Sequence, residues 1–162
     1  MSLYLCAAVY HGWIRSPNGK ITTFDDPKAA CFTFPLSVNP AGEVAGIYSD
    51  ANNVSHAFLR TPDGRMKTFD APGAGTSSGQ GTSVNNNNPA GAIAGGYVDA
   101  NNVNHGYQYT PDGTFITFEA AGAGTGAGQG TIVTGLNPAG MMTGWYIDEN
   151  NCFHGLLAVV IP

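Results

Sequence analysis

YVDANNVNHGYQYTPDGTFITFEA, residues Tyr97 to Ala120, occurs three times in altered form. Forty-nine residues upstream the chain reads YSDANNVSHAFLRTPDGRMKTFDA (Tyr48 to Ala71), and forty-nine downstream YIDENNCFHGLL (Tyr146 to Leu157). Alignment on the histidines gives His11, His56, His105 and His154, spaced 45, 49 and 49 apart. Other markers keep step. NPAG ends at Gly42, Gly91 and Gly140, a glycine precedes Tyr48, Tyr97 and Tyr146 by two, and TFD or TFE follows at Phe24, Phe69 and Phe118. Self-similarity at a fixed period is the signature of a repeat architecture.

Each marker has a backbone meaning. In NPAG and TPDG the proline pre-sets φ for the first turn position, and the glycine accepts the left-handed conformation that closes a hairpin with a bulge. DANN places Asn where positive φ is tolerated, after an Asp able to accept from the turn amides. Between the turns lie short β-rich runs such as AIAGGYVD and TFITFEA, and no stretch holds a helical period. The spacing predicts an all-β chain of four-stranded antiparallel repeats of about 49 residues. The first strand ends at NPAG, the second at the Asp, the third starts at the His, and the fourth ends at TFD. Residues 29–72 and 73–121 form complete units, 1–28 supply only a third and fourth strand, and 122–162 lack the fourth. Four-stranded meanders joined by a long loop suit β-propeller blades. The loops themselves, PGAGTSSGQG and AGAGTGAGQG, read as flexible crossings between blades. They precede no helix and carry no Lys-Ser/Thr, so they are not phosphate cradles.

Composition narrows the function. Six basic and eleven acidic residues give a formal charge of −5, with no Lys/Arg stripe for nucleic acid or an anionic membrane surface. No apolar run approaches the roughly 18 residues of a membrane span. The opening MSLYLCAAVYHG lacks a basic segment and does not read as a signal peptide. Cys6, Cys31 and Cys152 form no CxxC pair and read as buried free thiols.

His56-Ala57-Phe58, followed by DG and preceded by N-x-x-G-x-x-x-G-x-Y, resembles the bacterial HAF-family extracellular repeat, with HGW and HGY as variants elsewhere in the chain. The resemblance spans nearly the whole sequence. It implies a secreted or envelope-associated β-repeat protein, propeller-like, with no catalytic residues to carry over.

Both ends depart from the repeat. Leu5 to Ala8 replace DANN, and Val159 to Pro162 replace TPDG, so polar turns give way to apolar, extended sequence. Apolar edge strands call for a partner. About three units fall short of the four to eight that close a propeller. The expectation is therefore a homo-oligomer completed through its terminal strands, against the alternative of a single-chain three-fold β-trefoil or β-prism.

The recurring Asp, Asn and His invite a site. One carboxylate and two amides per turn are too few hard ligands for calcium, and histidines in separate units do not converge as catalytic zinc requires. No G-x-S-x-G presents a nucleophile, and Asp25, Asp70 and Glu119 look like solvated turn residues. No enzyme, cofactor or metal is expected. Candidate ligand residues are His56, His105 and His154 with the aromatics beside them: Trp13, Phe58 and Tyr107 two residues past a His, and Tyr48, Tyr97 and Tyr146 on the facing strand. Such rings either pack between blades or stack on sugars in weak, repeated sites. Trp145 occurs in one unit only. These readings predict a non-catalytic extracellular structural or assembly module, with a multivalent glycan-binding, lectin-like protein as the alternative.

Overall fold

The computed structural model describes residues 9–159, and among them the chain is all-β, without helix. Two full four-stranded meanders follow one another. The first comprises β3 (Thr33–Val38), β4 (Val44–Ser49), β5 (Ser55–Arg60) and β6 (Met66–Phe69). The second comprises β7 (Gly81–Asn87), β8 (Ile93–Val98), β9 (Asn104–Tyr109) and β10 (Phe115–Phe118). Before them lies a hairpin, β1 (Gly12–Arg15) and β2 (Ile21–Phe24). After them come β11 (Gly130–Leu136), β12 (Met141–Ile147) and β13 (Phe153–Val159). Pairing within each unit is antiparallel throughout. The substituted ends Leu5 to Ala8 and Val160 to Pro162 lie outside the described residues.

One turn design serves nearly everywhere. In NPAG the Asn39 amide donates to the Glu43 carbonyl and the Gly42 amide to the Asn39 carbonyl, with Gly42 at φ 80°. DANN does the same. The Asp50 amide donates to Val54, the Asn53 amide to Asp50, and Asn53 takes φ 60°. The loop is thus three residues long, with Asn in the glycine's left-handed place. Asn102 and Asn151 repeat it at 63° and 62°.

Units meet through the third strand, which forks. Ala57 to Arg60 pair with β6, while Ser55 makes a parallel bridge to Gly81 at the start of the next unit. Asn104 bridges Gly130 in the same way, and Tyr10 bridges Phe32. Gly130 has φ 106°, and a Cβ there would stand 2.0 Å from the Asn104 carbonyl oxygen. Only a bare backbone comes that close. These bridges link β3 to β13 into one sheet, with β6 and β10 branching from it and β1–β2 apart.

The core lies between units. Ala45, Ala57, Phe69 and Ala71 of the first pack with Val84, Ile93, Tyr107 and Tyr109 of the second. Ala92, Ala94, Val133, Leu136 and Met142 fill the next gap. Val44, Tyr48 and Phe58 meet Phe24 of the N-terminal hairpin. The cysteines depart from expectation: Cys31 is disulfide-bonded, and Cys152 is free but exposed.

Candidate functional site

Each third strand opens on a histidine, and register delivers its neighbours. Tyr48 pairs directly with His56, Tyr97 with His105 and Tyr146 with His154. The rings stack with centroids 5.0, 4.6 and 4.7 Å apart, the cross-strand contact that stabilises an antiparallel pair.

Carboxylates flank the imidazoles. His56 Nδ1 lies 2.9 Å from Asp70 Oδ2, His105 Nδ1 2.5 Å from Glu119 Oε1, and His11 Nδ1 2.7 Å from Asp25 Oδ2. On the other nitrogen, His56 Nε2 stands 3.7 Å from Asp50, His105 Nε2 3.4 Å from Asp99, and His154 Nε2 3.0 Å from Asp148. The first two are electrostatic contacts rather than well-formed hydrogen bonds. Asp70, Glu119 and Asp25 are therefore partners of histidines, not merely solvated turn residues. The signal was present in the sequence. Carrying the hairpin register one step past the Ala57–Phe69 pair sets Asp70 opposite His56.

Asp50 also closes its own turn, with Oδ1 accepting from the amides of Asn52 and Val54, each at 2.9 Å. Burial works against the charge. The Val54 and Asn52 amides, the Asn52 side chain and His56 outweigh it and hold the Asp50 carboxyl below its usual range. Asp99 is lowered likewise, burial again opposing the Val103 and Asn101 amides and His105. For Asp148 the Cys152 amide and His154 lead. Burial, then Asp26, Asp70 and Asp50, push the Tyr48 hydroxyl up to about 12.

Chemically the arrangement ties parts of a unit together. Among the described residues a carboxylate, rather than a hydroxyl or thiol, faces Nε2 of His56, His105 and His154. Among the described residues no group of three His, Cys, Asp or Glu is placed to hold a metal ion.

The candidate aromatics divide by burial. Phe58 and Tyr107 are fully buried and Tyr48 is 3 % exposed, so their faces are covered by the core. Tyr97 and Tyr146 are half-buried under their histidines. Trp13 is 59 % exposed and borders a groove of about 360 Å³ with Arg15 and Leu36. A second groove of about 630 Å³ opens beside His56, lined by Lys28, Asp50, Thr68 and Asp70.

The seam residues were not anticipated. Thr82 and Thr131, fully buried, accept the amides of Ala71 and Ala120 at 2.9 Å, and Thr33 accepts that of Asp26 at 3.1 Å. Within a unit, Gln129 Nε2 donates to Asn151 Oδ1 at 3.0 Å, as Gln80 does to Asn102. Asn39 Nδ2 donates to the Asn88 carbonyl, and Asn88 Nδ2 to that of Asn137. The glycine loops are bonded parts of this seam rather than slack crossings, since the Gly79 amide donates to the Asn53 carbonyl and Gly128 to Asn102. The recurring GQGT was the available sign.

Comparison with known proteins found no matching family model, no matching curated protein and no matching solved structure.

Proposed function

We propose that this chain is a non-catalytic interaction and assembly module of the extracellular or cell-envelope type, built from propeller-like blades of the HAF-repeat kind and associating with copies of itself. One observation carries the reading: a repeated set of polar residues joins unit to unit. Thr33, Thr82 and Thr131 and the asparagine ladder bond across seams, while within a unit the glutamines and histidines fasten loop to turn and turn to fourth strand. Chemistry that repeats at every seam suits a surface made to be continued. Sedimentation velocity over a concentration series tests it. Reversible self-association is the expected result, and a chain that is monomeric at every concentration, with no partner surface mapped on it, counts against the reading.

The second reading, glycan binding, draws on Trp13, whose exposed indole beside Arg15 and the adjoining groove suits a stacked sugar ring. Binding on a glycan array that disappears in Trp13→Ala would favour it.

A further inference from the structure

β13 holds three features that the described residues leave unused. The first is Gly155. Its backbone is not left-handed, and nothing lies within 4 Å of where its Cβ would stand. At the same place, a Cβ on Gly12 would come within 2.8 Å of the Phe24 ring and one on Gly106 within 3.0 Å of Phe118, while the first full unit carries the small Ala57 opposite Phe69. In a strand, glycine marks a place where another group approaches closely. Here that group is the phenylalanine of a fourth strand.

The second is His154. Its Nε2 bonds Asp148, but no fourth-strand acid faces its Nδ1 among the described residues, as Asp25, Asp70 and Glu119 face the other three histidines.

The third is Phe153, the counterpart of Tyr10, Ser55 and Asn104. Those amides donate across a seam, Tyr10 to the Cys31 carbonyl at 3.0 Å, Ser55 to Gln80 at 3.0 Å and Asn104 to Gln129 at 2.8 Å. The Tyr10 carbonyl accepts the Thr33 amide in return. Phe153 has no such neighbour among the described residues. The asparagine ladder stops in step, since Asn137 Nδ2 meets no carbonyl of a following unit there.

A single element fits all three: a fourth strand ending Phe-acid, followed by the start of a first strand. β2, with Phe24 and Asp25, followed by Cys31 and Thr33, has that form. We propose that the outer edge of β13 receives β2 and β3 from a second copy of this chain, taking the place that β1 holds within one chain. Phe24 then covers Gly155, Asp25 meets His154 Nδ1, the Cys31 carbonyl accepts the Phe153 amide, and the Asn39 carbonyl continues the ladder from Asn137.

Two observations favour a second copy as the occupant. β1 is a weak incumbent, four residues long against six in β5 and β9. β13 is seven residues long and exposes Phe153 at 71 %, Leu157 at 66 % and Val159 at 59 %. The corresponding residues of the second unit are Asn104, Gln108 and Thr110, all polar. The contact is head-to-tail, so it closes into a ring or extends as a filament.

This inference rests on the assembly reading, and its test separates the two. Sedimentation velocity of the full chain is compared with Gly155→Leu, which places a side chain in open space, and with Phe153→Ser, which restores the first unit's residue. Circular dichroism and thermal unfolding check that both variants stay folded. Self-association weakened at least about tenfold in both folded variants is expected. Self-association unchanged in both overturns the β13 edge while leaving assembly standing. A wild-type chain that remains monomeric overturns both.

Discussion

Thr82 Oγ1 accepts the amide of Ala71 at 2.9 Å, fastening the residue after one unit's last paired acid to the first strand of the next. Both residues are buried, so water cannot replace the bond. Thr82→Val keeps the shape and removes the acceptor, leaving a buried amide unpaired at about 1–3 kcal/mol. Thr82→Ser keeps the oxygen and should lose clearly less. Urea unfolding of the two variants checks this, and equal losses would show that the hydroxyl is immaterial.

Tyr107 is fully buried, with its hydroxyl donating to the Ser83 carbonyl at 2.9 Å. Tyr107→Phe should cost about 0.5–1.5 kcal/mol, the net worth of one hydrogen bond. Tyr107→Ala should cost about 3–5 kcal/mol through the cavity it leaves. A folded, fully stable Tyr107→Ala protein would move this ring out of the core and back among the ligand candidates.

Asp26 stands where the later units have Ala71 and Ala120, and its Oδ2 is buried without a partner among the described residues. Its Oδ1 accepts the Lys28 amide at 2.9 Å, closing a turn that Gly73 and Gly122 close at φ 92° and 93°. Asp26→Ala with Lys28→Gly restores the repeat's own turn and removes the orphaned oxygen. Stability should rise by about 1 kcal/mol, more than in Asp26→Ala alone, which also loses the turn bond. Thermal melts of the single and double variants decide between these outcomes.

Asp50, Asp99 and Asp148 are all held below the usual carboxylate range. A carboxyl with a depressed native pKa takes up protons more readily in the unfolded chain. The stability it contributes is complete above the unfolded value of about 3.9 and is lost as pH falls through the native one. The melting temperature should therefore be insensitive to these groups from about pH 5 to 7 and should fall below about pH 4. In Asp99→Asn the acid limb should be shallower. An unchanged acid limb in that variant would remove Asp99 from the account.

The turns were the legible part of this protein. NPAG, TPDG and DxNN each fix a local conformation through residues within four positions of one another. Strand ends at Val38, Ser49 and Arg60 follow from them without knowledge of the rest of the chain. The three-residue length of the loop at Asn53 was less legible, because Asn is a weaker sign of left-handed backbone than Gly. The Tyr48–His56 facing pair was readable from the turn between them. His56–Asp70 needed one further step of the same ladder.

Strands, turns and period were set by local residues, because these depend on backbone preferences and near-neighbour hydrogen bonds. The folded molecule set how units meet. It made Phe58 and Tyr107 core rather than ligand surface, buried Thr82 and Thr131 as seam acceptors, engaged the glycine loops, and left Gly155 bare. Those outcomes depend on which faces and edges come together across some fifty residues of chain, and the pattern along a single strand does not specify its neighbour in the next unit.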